Sequence, residues 1–271
     1  SSEETQADAH DRANDTLRVN ADELRVSVVG EGANLGFTQK GRVEFALLHG
    51  AIGGKINTDA IDNSAGVDTS DHEVNIKILL DALVARGELS QERRLTLLAE
   101  MTDEVAHLVL RDNYEQTQAI SVAAAEGNAL LDQQQRLMRS LERAGKLDRA
   151  LEFLPDDETL AERQSEHLGL TRPELAVLLA YSKIAVYQVL LQSDLPDEPL
   201  LVEVLLLYFP VPLRQSYRAG IERHRLRREI IATFITNTMV NRVGPTFVSR
   251  MEEETSRPAS DVARAYTIMR D

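Results

Sequence analysis

Cysteine and tryptophan are absent from this chain of 271 residues. Without a thiol there is no disulfide, no thiolate nucleophile and no cysteine-ligated zinc. Aromatic residues make up only 4%, so the cores must be built from Leu, Ile, Val and Ala, a palette that suits helices. Positive charge is in deficit: 30 Lys and Arg stand against 44 Asp and Glu, a net charge of −14. That balance argues against nonspecific attachment to nucleic acid or to an anionic membrane, since both need a cationic surface. No apolar run reaches the roughly 20 residues a membrane-spanning helix takes; the richest stretch, 200–209, is short and carries Glu203. The first 11 residues are polar and acidic, the reverse of a signal peptide. What is present, 43% hydrophobic and 27% charged residues, is the composition of an ordinary globular protein of one or two domains. The lack of cysteine fits a cytoplasmic location.

The sequence changes character near residue 85. Before it lie eight of the 14 glycines (Gly30, Gly32, Gly36, Gly41, Gly50, Gly53, Gly54 and Gly66); after it glycine thins out and helical periodicity takes over. Leu24–Val29, rich in valine and ending at Gly30, reads as a short buried strand. Residues 37–48 have helical spacing, 55–57 and 60–62 read as a second short strand and its exit, and 72–85 as a well-packed helix. That alternation predicts a short α/β piece, too small to be a complete doubly wound domain. From Ser90 onward only helices are expected. One runs over 90–111, starting on a serine cap with an acidic first turn. A long polar helix runs over 113–143 and stops at Gly145. A strongly apolar helix over 171–191 opens on the capping box Thr171-Arg-Pro-Glu174. Further helices cover 225–241 and 244–255, and a last one opens at Pro258. The predicted organisation is a polar segment over 1–20, an α/β piece over 21–86 and a helical domain over 87–271.

Chemistry concentrates in two segments. In VVGEGANLGF at 28–37 a strand runs into a glycine-rich turn, where backbone can approach a ligand, and then into a helix whose free N–H groups favour anions. The spacing Gly30-x-Gly32-x-x-x-Gly36 resembles a dinucleotide fingerprint without matching it, and a simple tight strand–helix turn reads equally from the same residues. The second segment, NTDAIDNSAGVDTSDHEVN at 57–75, is polar and leads into an apolar helix that Ser70 or Asp71 can cap. His72 has no second histidine at the HExxH position, which is Ile76, and the aspartate spacing fails the calcium-loop pattern, so no metal is expected. The basic cluster Arg223-His-Arg-Leu-Arg-Arg228 lacks stacking aromatics and reads as a salt-bridge patch rather than a nucleic-acid site. His107, His167 and His224 read as structural, and Lys183 as a snorkelling side chain on an apolar helix.

At these two segments the chain resembles a known family. EGAN at 31–34, after a valine-rich strand, resembles the motif near the end of the nucleotide-binding domain of glutamate dehydrogenases. NSAGVDTS at 63–70 resembles their N-A-G-G-V-x-x-S motif. Longer strings, among them GGKINTDAIDNSAGVDTSDHEVNIKILL, LTRPELAVLLAYSKI and HRLRREIIATFITNTMVNRVGPTFV, are similar to the C-terminal part of the large bacterial NAD-specific glutamate dehydrogenases. The resemblance spans about residues 24–271. It implies a mostly α chain: a short α/β end-piece of a Rossmann-like NAD-binding domain, then an all-helical C-terminal domain. It implies NAD as cofactor, glutamate and 2-oxoglutarate as substrates, the remainder of a parent chain as partner, and a cytoplasmic homo-oligomer without nucleic acid or membrane. Carried over by position, Asn34 contacts the nicotinamide, Gly32 and Ala33 form its loop, Asn63, Gly66 and Val67 line the junction of nicotinamide and substrate, and Ser70 bonds the distal carboxylate of glutamate. The sequence departs from the smaller enzymes where Leu35-Gly36 replaces a proline-containing turn, where Ala65 stands for glycine and where Asp71 stands for an aromatic. The family's catalytic lysines, catalytic aspartate and phosphate-binding glycine loop have no counterpart, so no catalytic residue is expected in this chain. Two rivals remain at this stage: a non-catalytic helical interaction or regulatory module, and another amino-acid dehydrogenase.

Overall fold

A computed structural model describes residues 1–9, 18–32, 36–48 and 54–270. Among them the regular secondary structure is helical throughout. In chain order the α-helices are α1 (Gln6–Ala9), α2 (Gln39–Leu48), α3 (Asp59–Asp62), α4 (Ser64–Ala85), α5 (Gln91–Glu100), α6 (Thr102–Glu126), α7 (Leu131–Arg143), α8 (Asp157–Ser165), α9 (Arg172–Gln192), α10 (Val202–Tyr208), α11 (Val211–Ser216), α12 (Arg218–Glu222), α13 (Arg227–Val243), α14 (Phe247–Thr255) and α15 (Ala259–Arg270).

Several starts are written in the sequence. Ser90 Oγ accepts the Arg93 N–H at 3.1 Å and opens α5. Asp156 accepts the Thr159 N–H at 2.8 Å and opens α8. At α9 the Glu174 carboxylate accepts both the N–H and the hydroxyl of Thr171, at 2.7 and 2.8 Å, the glutamate half of the capping box.

The expected strand at Leu24–Val29 does not form. A single parallel bridge joins Val28 to Lys55, held by Val29 N–H to Lys55 O at 2.9 Å and Lys55 N–H to Ser27 O at 3.0 Å. Parallel strands are stable when both faces are covered. Here Val26 and Val28 are exposed, so the apolar content that predicted a buried strand has nothing to pack on among the described residues. The Rossmann-like α/β end-piece is therefore absent from the observed architecture. Residues 60–62 belong to the short helix α3 and not to a strand exit.

Three helix boundaries also differ from expectation. α4 starts at Ser64, so Ser70 and Asp71 lie inside it and cap nothing; polar residues are accommodated there by bonds such as Thr69 Oγ1 to Ala65 O at 2.7 Å. The break expected near residue 112 falls earlier, at Met101, and the long polar helix is interrupted at 127–130. Gly127 causes that interruption: its φ of +54° is left-handed, and Gly169 packs so closely that a Cβ there would sit 2.7 Å from the Gly127 carbonyl carbon. Finally, α9 holds a window of mean hydropathy 1.5, long and apolar enough by composition to cross a membrane. Lys183 in the middle of the helix breaks the apolar run and hid that from a count of unbroken apolar residues, and Leu175, Ala176, Leu178, Leu179, Val186 and Leu190 are buried core positions.

The chain divides into two compact units, one of residues 1–63 and 117–181, the other of 64–116 and 182–271. In the first, Ala21, Phe45 and Ile56 cluster with Leu24, Val29 and Phe37, and Ile120, Leu131, Met138, Leu160 and Leu178 are also buried. The second has a large core. In α4 the buried positions His72, Asn75, Ile76, Leu79, Leu80 and Leu83 recur at helical spacing. Of these, Ile76, Leu79, Leu80 and Leu83 share a cluster with Leu205 and Phe209, with Ile231, Ile235 and Met239 of α13, and with Val262 and Ala263 of α15. Each such aliphatic side chain taken from water stabilises the unit by about 1.5–3 kcal/mol before entropy is counted.

Candidate functional site

In the first unit the glycine-rich turn is held by a polar network. Arg42, on α2 and only 2% exposed, donates to Glu31 O at 3.1 Å, to the Glu31 carboxylate at 2.9 Å and to Asn57 O at 2.7 Å. The same Glu31 carboxylate accepts the Gly36 N–H at 3.1 Å, so one side chain bridges the turn between residues 31 and 36. Asp62 accepts the Glu31 N–H at 2.9 Å and the Asn57 amide at 3.0 Å. Arg172 donates twice to Asn57 Oδ1, at 3.0 and 3.1 Å; burial lowers its pKa, opposed by the nearby Asp62 charge.

This network brings the two motifs together. A Cβ on Gly32 would lie 2.6 Å from both Asn63 N and Asp62 C, backbone atoms that cannot step aside. Gly32 and Asn63 are thus packed backbone to backbone, and only glycine fits. The Asn63 N–H is taken by Asp59 O at 2.8 Å, while its side chain is exposed. Ala33 and Asn34 lie outside the described residues. Sequence reasoning missed Arg42, Asn57, Asp62 and Arg172. The one available signal was Arg42 itself, a cation on the helix face that also carries Phe45.

In the second unit Gly66, Val67 and Ser70 occupy the first two turns of α4. Their spacing places them on one side of the helix, and all three are exposed, Val67 by 66%. The other side of the same turns carries titratable groups. Asp71 accepts the Tyr208 hydroxyl at 2.7 Å, and Tyr208 Oη accepts the Asn75 amide at 2.9 Å. His72 stacks on the Tyr208 ring, centroids 4.4 Å apart. Burial pushes Asp68 up to about 7, with Asp112 and Asp71 adding to the rise, and burial also raises Asp112. It lowers His72 and raises the Tyr208 hydroxyl. Lys183 is brought down to about 8 by burial, against the pull of Asp112 and Asp68. Its ammonium donates to Gln116 at 3.0 Å, so it does not reach out to solvent as a snorkelling lysine would.

Two cavities lie apart from the motif residues. One of about 480 Å³ in the first unit is lined by Val43, Leu47, Phe153, Leu154 and Pro155. One of about 400 Å³ in the second is lined by Lys183, Ile184, Tyr187, Thr233 and Thr236. The basic cluster is spent within its own unit: His224 is buried against Asn75 O at 3.1 Å, Arg227 and Arg228 pair with Asp197, and Arg223 pairs with Glu88.

Comparison with known proteins gives the family. Residues 1–123 match the family model described as bacterial NAD-glutamate dehydrogenase, catalytic domain, and residues 167–271 match the one described as glutamate dehydrogenase, C-terminal. The chain is 53% identical over all 271 residues to the NAD-specific glutamate dehydrogenase of Pseudomonas aeruginosa, and covers 16% of it. It is 49% identical over all 271 residues to that of Halomonas elongata, covering 17%. Against that of Mycobacterium tuberculosis it is 45% identical over 263 residues, covering 16%. The chain thus spans about one sixth of the length of these relatives. By two family matches and by identities of 45–53% along nearly all its residues, this chain belongs to the bacterial NAD-glutamate dehydrogenase family.

Proposed function

We propose that this chain supplies one wall of the nicotinamide and glutamate site of an NAD-dependent glutamate dehydrogenase, which converts L-glutamate, NAD⁺ and water to 2-oxoglutarate, ammonia, NADH and a proton. The observation that carries the reading is the packing of Gly32 on the Asn63 backbone, which joins the two motifs separated by 30 residues of sequence. NAD supplies the hydride acceptor when bound. Gly32 and Ala33 give a loop without bulk on which the dihydropyridine ring can rest, Asn34 and Asn63 offer carboxamides to it, and Gly66 and Val67 line the approach to the substrate. The Ser70 hydroxyl, exposed on α4, donates to the distal carboxylate of glutamate. Holding substrate against cofactor in this way is where such a wall acts, because correct orientation is worth several orders of magnitude in rate.

The parent is a cytoplasmic homo-oligomer in the same reading, and light scattering on the full-length protein tests its assembly.

Substitution in the full-length enzyme tests the assignment. Asn34→Ala is expected to raise KM for NAD, and Ser70→Ala to raise KM for glutamate, each by about tenfold, the loss of one hydrogen bond in a desolvated site. Unchanged saturation by both ligands would remove the assignment. Ser70→Ala should also impair glutamate far more than leucine or valine as substrate; equal impairment would indicate a different amino-acid dehydrogenase.

A further inference from the structure

We propose that Asp68, His72 and Asp112 bind one divalent transition-metal ion, for which zinc is the best match. Asp68 and His72 stand one helical turn apart, at i and i+4, so α4 presents both on the same side. α6 brings Asp112 to them. One carboxylate oxygen from each aspartate and one ring nitrogen of His72 all lie within 4.8 Å of one another. In a shell with bonds of about 2.0–2.2 Å, ligand atoms are separated by about 3–4 Å, so small side-chain adjustments close the set around an ion.

The independent sign of a missing ligand is the histidine. His72 is 3% exposed, yet its Nδ1 is buried without a hydrogen-bond partner, and so is Asp68 Oδ2. Buried polar atoms are rarely left unpaired, because the loss of water is not repaid. The ring is fixed in place rather than free to seek a partner. It stacks on Tyr208, which is tied to Asp71 and Asn75, the kind of outer support that orients metal ligands. Burial also keeps His72 neutral, the form in which imidazole coordinates.

Two cations already face the carboxylates: Arg111 Nε pairs with Asp112 Oδ1 at 3.7 Å, and the Lys183 ammonium, which donates to Gln116 at 3.0 Å, draws Asp68 and Asp112 down against their burial. Neither gives a hydrogen bond to Asp68 Oδ2 or His72 Nδ1. A proton shared between the two carboxylates would relieve Asp68 and Asp112 but leave His72 Nδ1 without a partner. A metal ion answers all three. Mixed imidazole and carboxylate donors suit zinc and its first-row neighbours better than calcium or magnesium, which take oxygen. Sequence inspection looked for a second histidine after His72; the partner lies one turn before it, at Asp68, and on another helix.

The experiment uses the full-length protein, stripped with a chelator and reloaded with zinc or with cobalt as a visible reporter. Asp68→Asn and Asp112→Asn keep side-chain shape while removing the anionic ligand. The wild type is expected to retain one more ion per chain after desalting than either variant, with cobalt absorption bands that both variants lack. Circular dichroism of the metal-free proteins checks that the variants fold. If one does not, the other carries the comparison, and the wild type's own uptake stands regardless. Equal metal content in wild type and a folded variant, or no uptake by the wild type, overturns the proposal. The outcome is independent of the cofactor and substrate roles argued above, since none of those residues is altered.

Discussion

At the scale of single residues, Gly32 gives the sharpest test of the turn. A methyl group there meets two backbone atoms at 2.6 Å, so Gly32→Ala must displace the loop or the α3–α4 junction by about 1 Å. Misplacement of that size at a site that orients cofactor costs on the order of 10–100-fold in kcat/KM. Steady-state kinetics of the full-length variant should show that loss, with circular dichroism unchanged. Wild-type kinetics would mean that the 31–36 turn does not shape the site. The requirement for glycine at 32 was legible in the sequence as a glycine-rich turn, but its cause was not, because Asp62 and Asn63 lie 30 residues away.

A second prediction at this scale concerns pH. The Leu226 N–H donates to His224 Nδ1 at 3.1 Å, and Nε2 faces Asn75 O at 3.1 Å, so the folded ring is neutral with its proton on Nε2. Burial lowers its pKa from the ordinary 6.5. The folded state therefore binds fewer protons than the unfolded state just below pH 6.5, and its stability contribution, full above that value, is lost as pH falls through the lowered pKa. His72, also lowered by burial, acts in the same direction. Asp68, raised to about 7 by burial, acts in the opposite direction over the same range, so the test is a difference: between pH 7.5 and 5.5 the urea midpoint of the wild type should fall relative to that of His224→Gln. Parallel pH profiles for the two proteins would contradict the buried neutral ring.

At the scale of elements, the sequence disclosed helix starts better than what the helices lean on. The capping box at Thr171–Glu174 is readable because its partners are three residues apart. Its other half is not: Arg163, on α8, grips the same carboxylate at 2.7 and 2.9 Å in a pair that is nearly fully buried. Arg163→Ala would leave Glu174 charged, buried and half-paired, which costs about 3–5 kcal/mol. Replacing both partners with apolar residues should cost less, close to the roughly 1 kcal/mol of the lost cap. Chemical denaturation of the two variants checks the order; a single variant milder than the double would show that the pair is not a closed unit. The strand at Leu24–Val29 failed for the opposite reason. Its residues have the right propensity, but a strand is completed by neighbours, and its one bridge to Lys55 leaves Val26 and Val28 uncovered. The interruption of the long polar helix was signalled by Gly127-Asn128, yet its cause again lies far off, at Gly169.

At the scale of the whole molecule, the long strings of matching residues disclosed the family, while composition and periodicity alone gave only a helical protein with a glycine-rich start. The proposed site is a wall and not a reaction centre. The residues assigned to it, Gly32, Ala33, Asn34, Asn63, Gly66, Val67 and Ser70, offer backbone, carboxamides, a hydroxyl and apolar surface; none of these seven is an acid or base. Two groups brought close to neutral pH, Asp68 at about 7 and Lys183 at about 8, are instead turned toward Asp112 and Gln116 within the helical unit. Amine oxidation needs a positioned base to deprotonate the substrate and cationic side chains to polarise it, and in the proposed reading none of the assigned site residues performs those tasks. The isolated chain should therefore give no NADH from glutamate and NAD, at any substrate level that saturates the full-length enzyme. Absorbance of NADH, read against a blank without glutamate, is sufficient. Turnover that saturates with glutamate would place an acid–base group within this chain, and Lys183 and Asp68 would then be the first residues to replace.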